Sequence, residues 1–435
     1  MMHNISKKFA INNSQSINIA FPIAMWLSSR LAIAIFILLI APVFPVPPDS
    51  PPATFSWKAF SAWDSIWYQK IATVGYDYAL DNKQHSIAFF PLFPLIIRLL
   101  MTFGFPFEVA GVLVCNLTFL GALILLYFWV AEHHGKNAAM WSTAALAWCP
   151  YSLYGTVIYT EGLFLLCSTA ALRAFDKKQH LWTAFWGALA TATRVSGAML
   201  IPSFLFVAWK ERRGIKAYLA SLAAGTGLFL FSLYCQIKFG DALAFFHAQK
   251  AWRPSFGFAQ DGWWDMFMQI VVGETYDDGS IENIWHPLLF AMIICCGFLL
   301  WRFRLQLGFA KMRYGFSLLW MLLWFLTYQP LPDDPFSGDP LVKLTLIFGG
   351  LVLLWFSRSQ LPLVAVVYGF CCFGLIFNTG LTASVERYAY GIVSLSFAFG
   401  LLLARYPRWG YPVIVFFAFP LLNLSVRFAH KLWVA

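Results

Sequence analysis

The stretch 60–78 reads FSAWDSIWYQKIATVGYDY and sets an acid, Asp64, between Trp63 and Ser65. Trp63, Trp67 and Ile71 recur every four residues, with Ile66 and Lys70 flanking that face. The spacing predicts an amphipathic helix at a membrane–water boundary, with aromatic rings at headgroup depth. Asp64 falls in its first turns. A carboxylate among indoles is partly desolvated, which suits it to accept a proton once a partner orients it. A solvated acid, or a cap for its own helix, is the plainer reading of the same residue.

Cations and a second acid stand at comparable places. Arg387 lies at the mouth of a helix, where a guanidinium near lipid is costly unless it meets an anion. Pairing with Glu386 or reaching lipid headgroups would serve it equally. His247, Gln249, Lys250 and Arg253 share a second polar loop and could form either a binding surface or a solvated face. Arg194 separates two apolar pieces, 181–193 and 197–209, each too short to span a bilayer without tilt or thinning. It could approach a substrate or pair with Glu161, which stands just before another apolar run. Arg30, inside the first apolar helix, reads as a structural partner for an acid or a carbonyl.

These few polar groups belong to a chain of 435 residues that is 60% apolar and 11% charged. A soluble domain carries roughly 25% charged residues, so most of this surface faces something other than water. Uncharged windows of about 17–25 residues have the length a helix needs to cross the hydrocarbon core. Their continuity excludes a lipid-facing barrel, whose strands alternate polar and apolar. The net charge of +10 does not imply nucleic acid, because the basic residues sit in short inter-helix loops rather than along one face. The eight cysteines lack metal or redox spacing. Cys295-Cys296 and Cys371-Cys372 lie in apolar runs, where thiols behave as small hydrophobes. The segment 21–41 reads as a retained first helix, since no small-residue cleavage site accompanies it.

Basic loops orient the threading. Lys7-Lys8, His133 to Lys136, Lys177-Lys178, Lys210 to Lys216, Arg302 to Arg313, Arg358 and Arg405 to Arg408 can all lie on the cytoplasmic side. The loops 44–88, 238–284, 329–340 and 380–388, with short turns near 158 and 194–197, then lie outside. They hold most of the acids, aromatics and prolines. About eleven to thirteen crossings satisfy this arrangement, and Arg427 and Lys431 fall outside as its one violation. The expected fold class is an all-α polytopic membrane protein, a single integral membrane domain over 1–435 without internal repeat. Its largest outside loops are 44–88 and 238–284. The run AFFPLFP at 88–94 suits a bend or a helix start, because two prolines three apart sit poorly inside a helix.

In order along the chain, Trp63-Asp64, Ile71-Ala72, Gly75-Tyr76 and AFFPLFPLIIR at 88–98 resemble the PIG-V family of mannosyltransferases and its bacterial relatives. Further pieces agree in register: YTEGLF at 159–164 after Pro150, Ala192-Thr193-Arg194 with Gly197, and Gly240-Asp241 with Ala244-Phe245. Gln249, Trp252-Arg253, and Ser384 with Arg387-Tyr388 continue the pattern. The resemblance implies a GT-C glycosyltransferase, a multi-helix enzyme that moves a hexose, mannose for this family, from a polyprenyl-phosphate carrier. The implied partners are that donor, a glycan, lipid or protein acceptor, and the lipid bilayer; no nucleic acid and no cofactor is implied.

By the same resemblance Asp64 is the catalytic base. It would take the acceptor hydroxyl's proton as the bond to the anomeric carbon forms. Arg387 is the first candidate to hold the leaving lipid phosphate. Trp63, Tyr76, Glu161, Arg194, His247, Gln249, Arg253 and Tyr388 are the accompanying substrate-binding candidates. Departures from the family pattern are the acidic run 273–283 and the lack of an Asp-x-Asp in the first loop. Asp277-Asp278 and Asp333-Asp334 read as solvated pairs, so metal-independent chemistry is expected. The sequons at Asn116 and Asn423 lie in apolar runs, where glycosylation is implausible.

Two other readings stand beside the enzyme. A transporter or flippase for lipid-linked sugars would place ionisable residues at mid-membrane depth in matched halves, whereas these acids are in outer loops. An inactive scaffold subunit of a glycan-assembly complex is opposed by the retention of Asp64, Arg194 and Arg387 together. Short basic loops point to a bacterial inner membrane with the site facing the periplasm, an endoplasmic reticulum lumen being the alternative.

Overall fold

Inside a bilayer only a helix or a closed barrel satisfies every backbone hydrogen bond, and long uncharged runs therefore become helices. The computed structural model describes residues 19–46, 50–253, 256–276, 278–327 and 340–434, and its regular elements there are all helical. The only bridges among the described residues are isolated ones, Gly257 to Thr379 and Thr275 to Ile281. Five helices are each long and apolar enough to cross a membrane: Ala20–Val43, Phe107–Trp148, Trp285–Arg302, Pro340–Ser357 and Pro407–Ala429. Ile215–Ala223 and Thr226–Phe239 form a further pair bent by 41°. The chain is an integral membrane protein.

Other apolar stretches are divided rather than continuous, which is why fewer long helices appear than the number of expected crossings. Phe107–Trp148, at 42 residues, would extend about 63 Å as one helix, twice the hydrocarbon core. Gly135, at φ 78° and ψ 178°, breaks it within the basic loop His133 to Lys136. Such a backbone suits a residue without a Cβ. The break expected at Arg194 is present: His180–Thr193 ends there, and a 3-10 turn, Val195–Met199, leads into Leu200–Lys210. The proline run starts a helix, Leu92–Thr102.

The first helix shows how sidedness arises. Leu27, Leu31, Ile35 and Leu39 are exposed at four-residue spacing, as lipid-facing positions are, while Ser29, Arg30, Ile33 and Ile37 are buried. Arg30 donates to the Ser152 carbonyl (2.6 Å), the Ala147 carbonyl (3.0 Å), Thr156 Oγ1 (2.8 Å) and Ser152 Oγ (2.9 Å). Its guanidinium also lies over the Phe119 ring. It is a structural arginine whose partners are carbonyls and hydroxyls. Elsewhere small residues let helices touch, as in membrane bundles generally. A Cβ on Gly400 would lie 1.9 Å from Ser142 Oγ.

Polar loops gather at two ends of the bundle. At one, Glu132 holds Arg173 (2.6 Å) and Lys177 (2.7 Å), and Gln360 accepts from His134 and Arg405. At the other, the first loop meets 159–161, 194, 253 and 379–388. Glu161–Asp176 joins the two ends and, with 16 residues, covers about 24 Å.

Candidate active site

A helix begins at Asp64 because the residue before it is forced into an unusual turn. Trp63 has φ 55° and ψ −113°, a conformation that costs a non-glycine residue about 1–3 kcal/mol and persists only when neighbours over-determine it. The turn sends the indole away from the carboxylate. Trp63 Nε1 donates to the Leu432 carbonyl (3.2 Å), and its ring meets Trp433 edge-on at 5.1 Å. The expected setting of Asp64 among indoles is thus replaced by another. The Asp64 backbone N–H donates to Tyr159 Oη (3.3 Å), and Ser65 Oγ donates to the Ala62 and Ile158 carbonyls. The helix Asp64–Thr73 buries Ser65, Tyr68, Ile71 and Ala72, and exposes Ile66. Trp67 stacks on Phe89 and meets Trp252 edge-on, so this face packs into protein.

The group that meets Asp64 comes from the far end of the chain. Arg387 sits on the short helix Val385–Tyr390, entered through Ser384 in the left-handed region (φ 60°, ψ 12°). Its Nη1 lies 2.8 Å from Asp64 Oδ2, and its Nε lies 3.6 Å from Glu161 Oε1. Arg194 Nη1 donates to the same Glu161 oxygen. The result is a chain of alternating charges, Asp64–Arg387–Glu161–Arg194, with Tyr154, Tyr159 and Tyr388 around the Arg387 guanidinium at 5.2–5.5 Å. Glu161 is 1% exposed, yet its second oxygen has no hydrogen-bond partner. Burial alone would pull the Arg387 pKa down. The Asp64 and Glu161 carboxylates reverse this and hold it well above its ordinary value.

Arg253 and Tyr388 join this cluster, Arg253 Nη2 donating to Tyr388 Oη at 2.9 Å. Burial pushes the Tyr388 phenol up, but Arg253, Arg387 and Arg194 outweigh it and hold its pKa below the ordinary value. The remaining candidates have other work. Tyr76 Oη donates to the Phe89 carbonyl, Gln249 Nε2 to the Ala88 carbonyl, and His247 pairs with Asp241 at 2.7 Å. Of these contacts, Gln249 to Ala88 ties the second loop to the first. Asp241 also accepts from Tyr78 (2.7 Å).

Glu386, adjacent to Arg387, points about 100° away from it around the helix. It pairs with Lys343 at 3.4 Å, not with Arg387, and its Oε2 is buried without a partner. Both residues line a cavity of about 610 Å³ walled by Trp320, Phe399, Phe416 and Phe417. Asp64 and Arg387 do not line it, so the charge chain and the cavity lie on different sides of the Val385–Tyr390 helix. Among the described residues, no three His, Cys, Asp or Glu side chains converge to hold a metal ion. Asp278 donates no such set, its carboxylate accepting from Ser280; Asp277, Asp333 and Asp334 lie outside the described residues.

Residues 52–224, which contain Asp64, Glu161 and Arg194, match the family model described as Mannosyltransferase (PIG-V). Over that stretch the chain is similar to the PIG-V family. No curated protein matches the chain in sequence. Among solved structures, it is similar to the Archaeoglobus fulgidus oligosaccharyltransferase in the apo form, with TM-score 0.49 and 12% identity. That likeness covers 95% of this chain and 56% of the other, so this chain spans little more than half the archaeal one. The same archaeal protein, AglB, in complex with an inhibitory peptide and a dolichol-phosphate gives TM-score 0.47, again at 12% identity and 95% and 56% coverage. ArnT from Cupriavidus metallidurans bound to undecaprenyl phosphate gives 0.39 at 14% identity, covering 92% of this chain and 77% of that one.

The matched stretch supplies three of the four charges, and Arg387 arrives from outside it. Lys343, Tyr154 and Tyr159 are the site residues that reasoning from sequence passed over. Lys343 carried a usable signal, as a lone cation in an otherwise apolar run. The tyrosines carried none beyond their place in the stretch that precedes Glu161.

Proposed function

We propose that this protein is a PIG-V-family glycosyltransferase of GT-C type. It moves a hexose, mannose by family, from a polyprenyl-phosphate donor to an acceptor hydroxyl at the periplasmic face of a bacterial inner membrane. The observation that carries the reading is the Asp64–Arg387 pair at 2.8 Å, which couples a proton acceptor to an anion-binding guanidinium. In the transfer, the acceptor oxygen forms its bond to the anomeric carbon as the bond from that carbon to the phosphate oxygen breaks. The hydroxyl proton passes to Asp64, and the bonding electrons leave with the lipid phosphate.

An Asp64 oxygen engaged by Arg387 is not free to take that proton. A donor phosphate offers the guanidinium a stronger, bidentate partner, so donor binding draws Arg387 away and releases Oδ2. Glu161, itself paired with Arg194, keeps the guanidinium near during the exchange. The apolar cavity takes part of the polyprenyl chain; its volume of about 610 Å³ lies within the roughly 300–1,000 Å³ usual for ligand pockets. Lys343, on the cavity wall, is paired with Glu386 and places a cation beside the lipid chain rather than beside Arg387.

The test is transfer of labelled mannose from a polyprenyl-phosphate donor by purified protein in lipid nanodiscs, with Asp64→Asn as the control. Activity that needs Asp64 supports the enzyme. Donor binding or lipid translocation without transfer would replace it with a carrier.

A further inference from the structure

Lys431 is one of the two basic residues, with Arg427, that depart from the expected charge asymmetry, and the structure gives it a definite occupation. It follows the helix Pro407–Ala429 and itself has a left-handed backbone, φ 61°. Its Nζ donates to two carbonyls of the first loop, Lys58 (2.9 Å) and Ser61. Two residues on, Trp433 receives the edge of Trp63, while the Leu432 carbonyl accepts from the Trp63 indole. His430 Nε2 lies 3.1 Å from the Ala41 carbonyl and ties the same segment to the end of the first helix. Four consecutive residues, 430–433, thus grip the approach to Asp64.

The grip answers a need of the backbone. Trp63 holds a positive φ next to Asp64, and such strain persists only under surrounding constraint. The 3-10 turn Trp57–Phe60 makes few bonds of its own: Ala59 to Ser56 and Ser61 to Lys58. The Ile158 N–H holds the Phe60 carbonyl from outside (3.1 Å), but without Lys431 the Lys58 and Ser61 carbonyls lose their clamp and Trp63 can return to an ordinary conformation. Asp64 would then shift relative to Arg387.

We infer that Lys431 is a positioning residue for Asp64, its ammonium clamping the 58–61 carbonyls so that the strained Trp63 turn presents the carboxylate to Arg387. The inference rests on Asp64 being the base, and its test separates the two. In nanodiscs, hydrogen–deuterium exchange over 57–66 should rise in Lys431→Met, while Glu161–Asp176 stays protected. Turnover should fall about 10–100-fold, the scale of an ångström-sized misplacement, with donor KM within about twofold of wild type. Lys431→Arg, which keeps charge and donors, should restore both protection and turnover.

Unchanged exchange over 57–66 in Lys431→Met would overturn the clamp, as would failure of Lys431→Arg to rescue. Should Lys431→Met lose protection throughout the bundle, Lys431→Gln, which stays polar but is too short to reach the Lys58 and Ser61 carbonyls, carries the same test with the same outcomes. If exchange responds and is rescued while Asp64→Asn keeps full turnover, the base assignment fails and the clamp on the loop stands.

Discussion

Asp64 Oδ2 and Arg387 Nη1 meet at 2.8 Å across 323 residues of sequence. Removing the guanidinium therefore does two things. It takes away a phosphate ligand, and it leaves Asp64 and the buried Glu161 short of a counter-charge. Arg387→Ala should weaken polyprenyl-phosphate binding by roughly 2–5 kcal/mol, the cost of truncating a buried hydrogen-bonded charge pair, and should also lower thermal stability. Adding Asp64→Asn should recover part of the stability but none of the binding. Equal losses in binding from Asp64→Asn alone would show that Arg387 acts only through its carboxylate.

Arg30 makes a contrasting case, since its donors are spent on carbonyls and hydroxyls of the 147–156 turn. That turn leads to Tyr159 and Glu161. Arg30→Met should cost about 2–5 kcal/mol, from buried acceptors left unpaired at roughly 1–3 kcal/mol each. Thermal unfolding in detergent reads the loss. Turnover per folded molecule should hold within about threefold, a small effect beside the 100-fold scale of a lost catalytic base; a larger drop would give Arg30 a part in the chemistry.

Periodicity and charge made the helices, the break at Arg194, the Glu161–Arg194 pair and the structural nature of Arg30 legible, because each depends on local apolar runs or on one costly buried charge. The partner of Arg387 was not legible. Glu386 is its neighbour in sequence, but adjacent helical residues diverge, and the nearest acid in space is 323 positions away. The direction of Trp63 was hidden for a different reason. Helical spacing assigns it to the Trp67 face, while its positive φ turns it to Trp433, and that strain is maintained by tertiary contacts alone. Lys343 was overlooked because a single lysine hardly changes the hydropathy of its run.

In the first loop one histidine is held between two acids. His85 bridges Asp77 (2.9 Å) and Asp81 (2.8 Å). Burial pulls its pKa down, and the two carboxylates outweigh that and set it above the ordinary 6.5. A folded pKa above the unfolded value contributes stability that is complete below about pH 6.5 and is lost as pH rises through the folded value. Exchange protection over 77–86, corrected for the intrinsic pH dependence of exchange, should therefore decline on the alkaline side. His85→Gln should be insensitive to pH over the same range, and a flat wild-type profile would rule out this contribution.

Lys343 offers a way to separate the cavity from the charge chain. Its ammonium meets Glu386 at 3.4 Å on the cavity wall, away from Asp64. Lys343→Met should raise donor KM about tenfold or more, and leave the exchange protection of 57–66 unchanged. Lys343→Met paired with Glu386→Gln should recover folding lost through the unpaired acid without recovering affinity. If short-chain and long-chain polyprenyl phosphates bind Lys343→Met as well as wild type, the cavity does not receive the donor.

Asp64→Asn tests the chemistry most directly. The amide keeps the size of the carboxylate and one oxygen for Arg387, so folding and donor binding should stay near normal, but it cannot take the hydroxyl proton. Turnover should fall at least about 100-fold, the usual scale for losing a general base, and saturating donor should not restore it. Glu161→Gln should differ in kind. Glu161 holds both Arg194 and Arg387, so its loss should weaken donor binding and stability together and lower turnover by way of the guanidinium. Measured side by side in nanodiscs, the two variants thus separate proton transfer from anion binding. Near-normal turnover in Asp64→Asn across pH 6 to 8, with Glu161→Gln inactive at saturating donor, would move the base to Glu161, whose second oxygen already stands buried and unpaired.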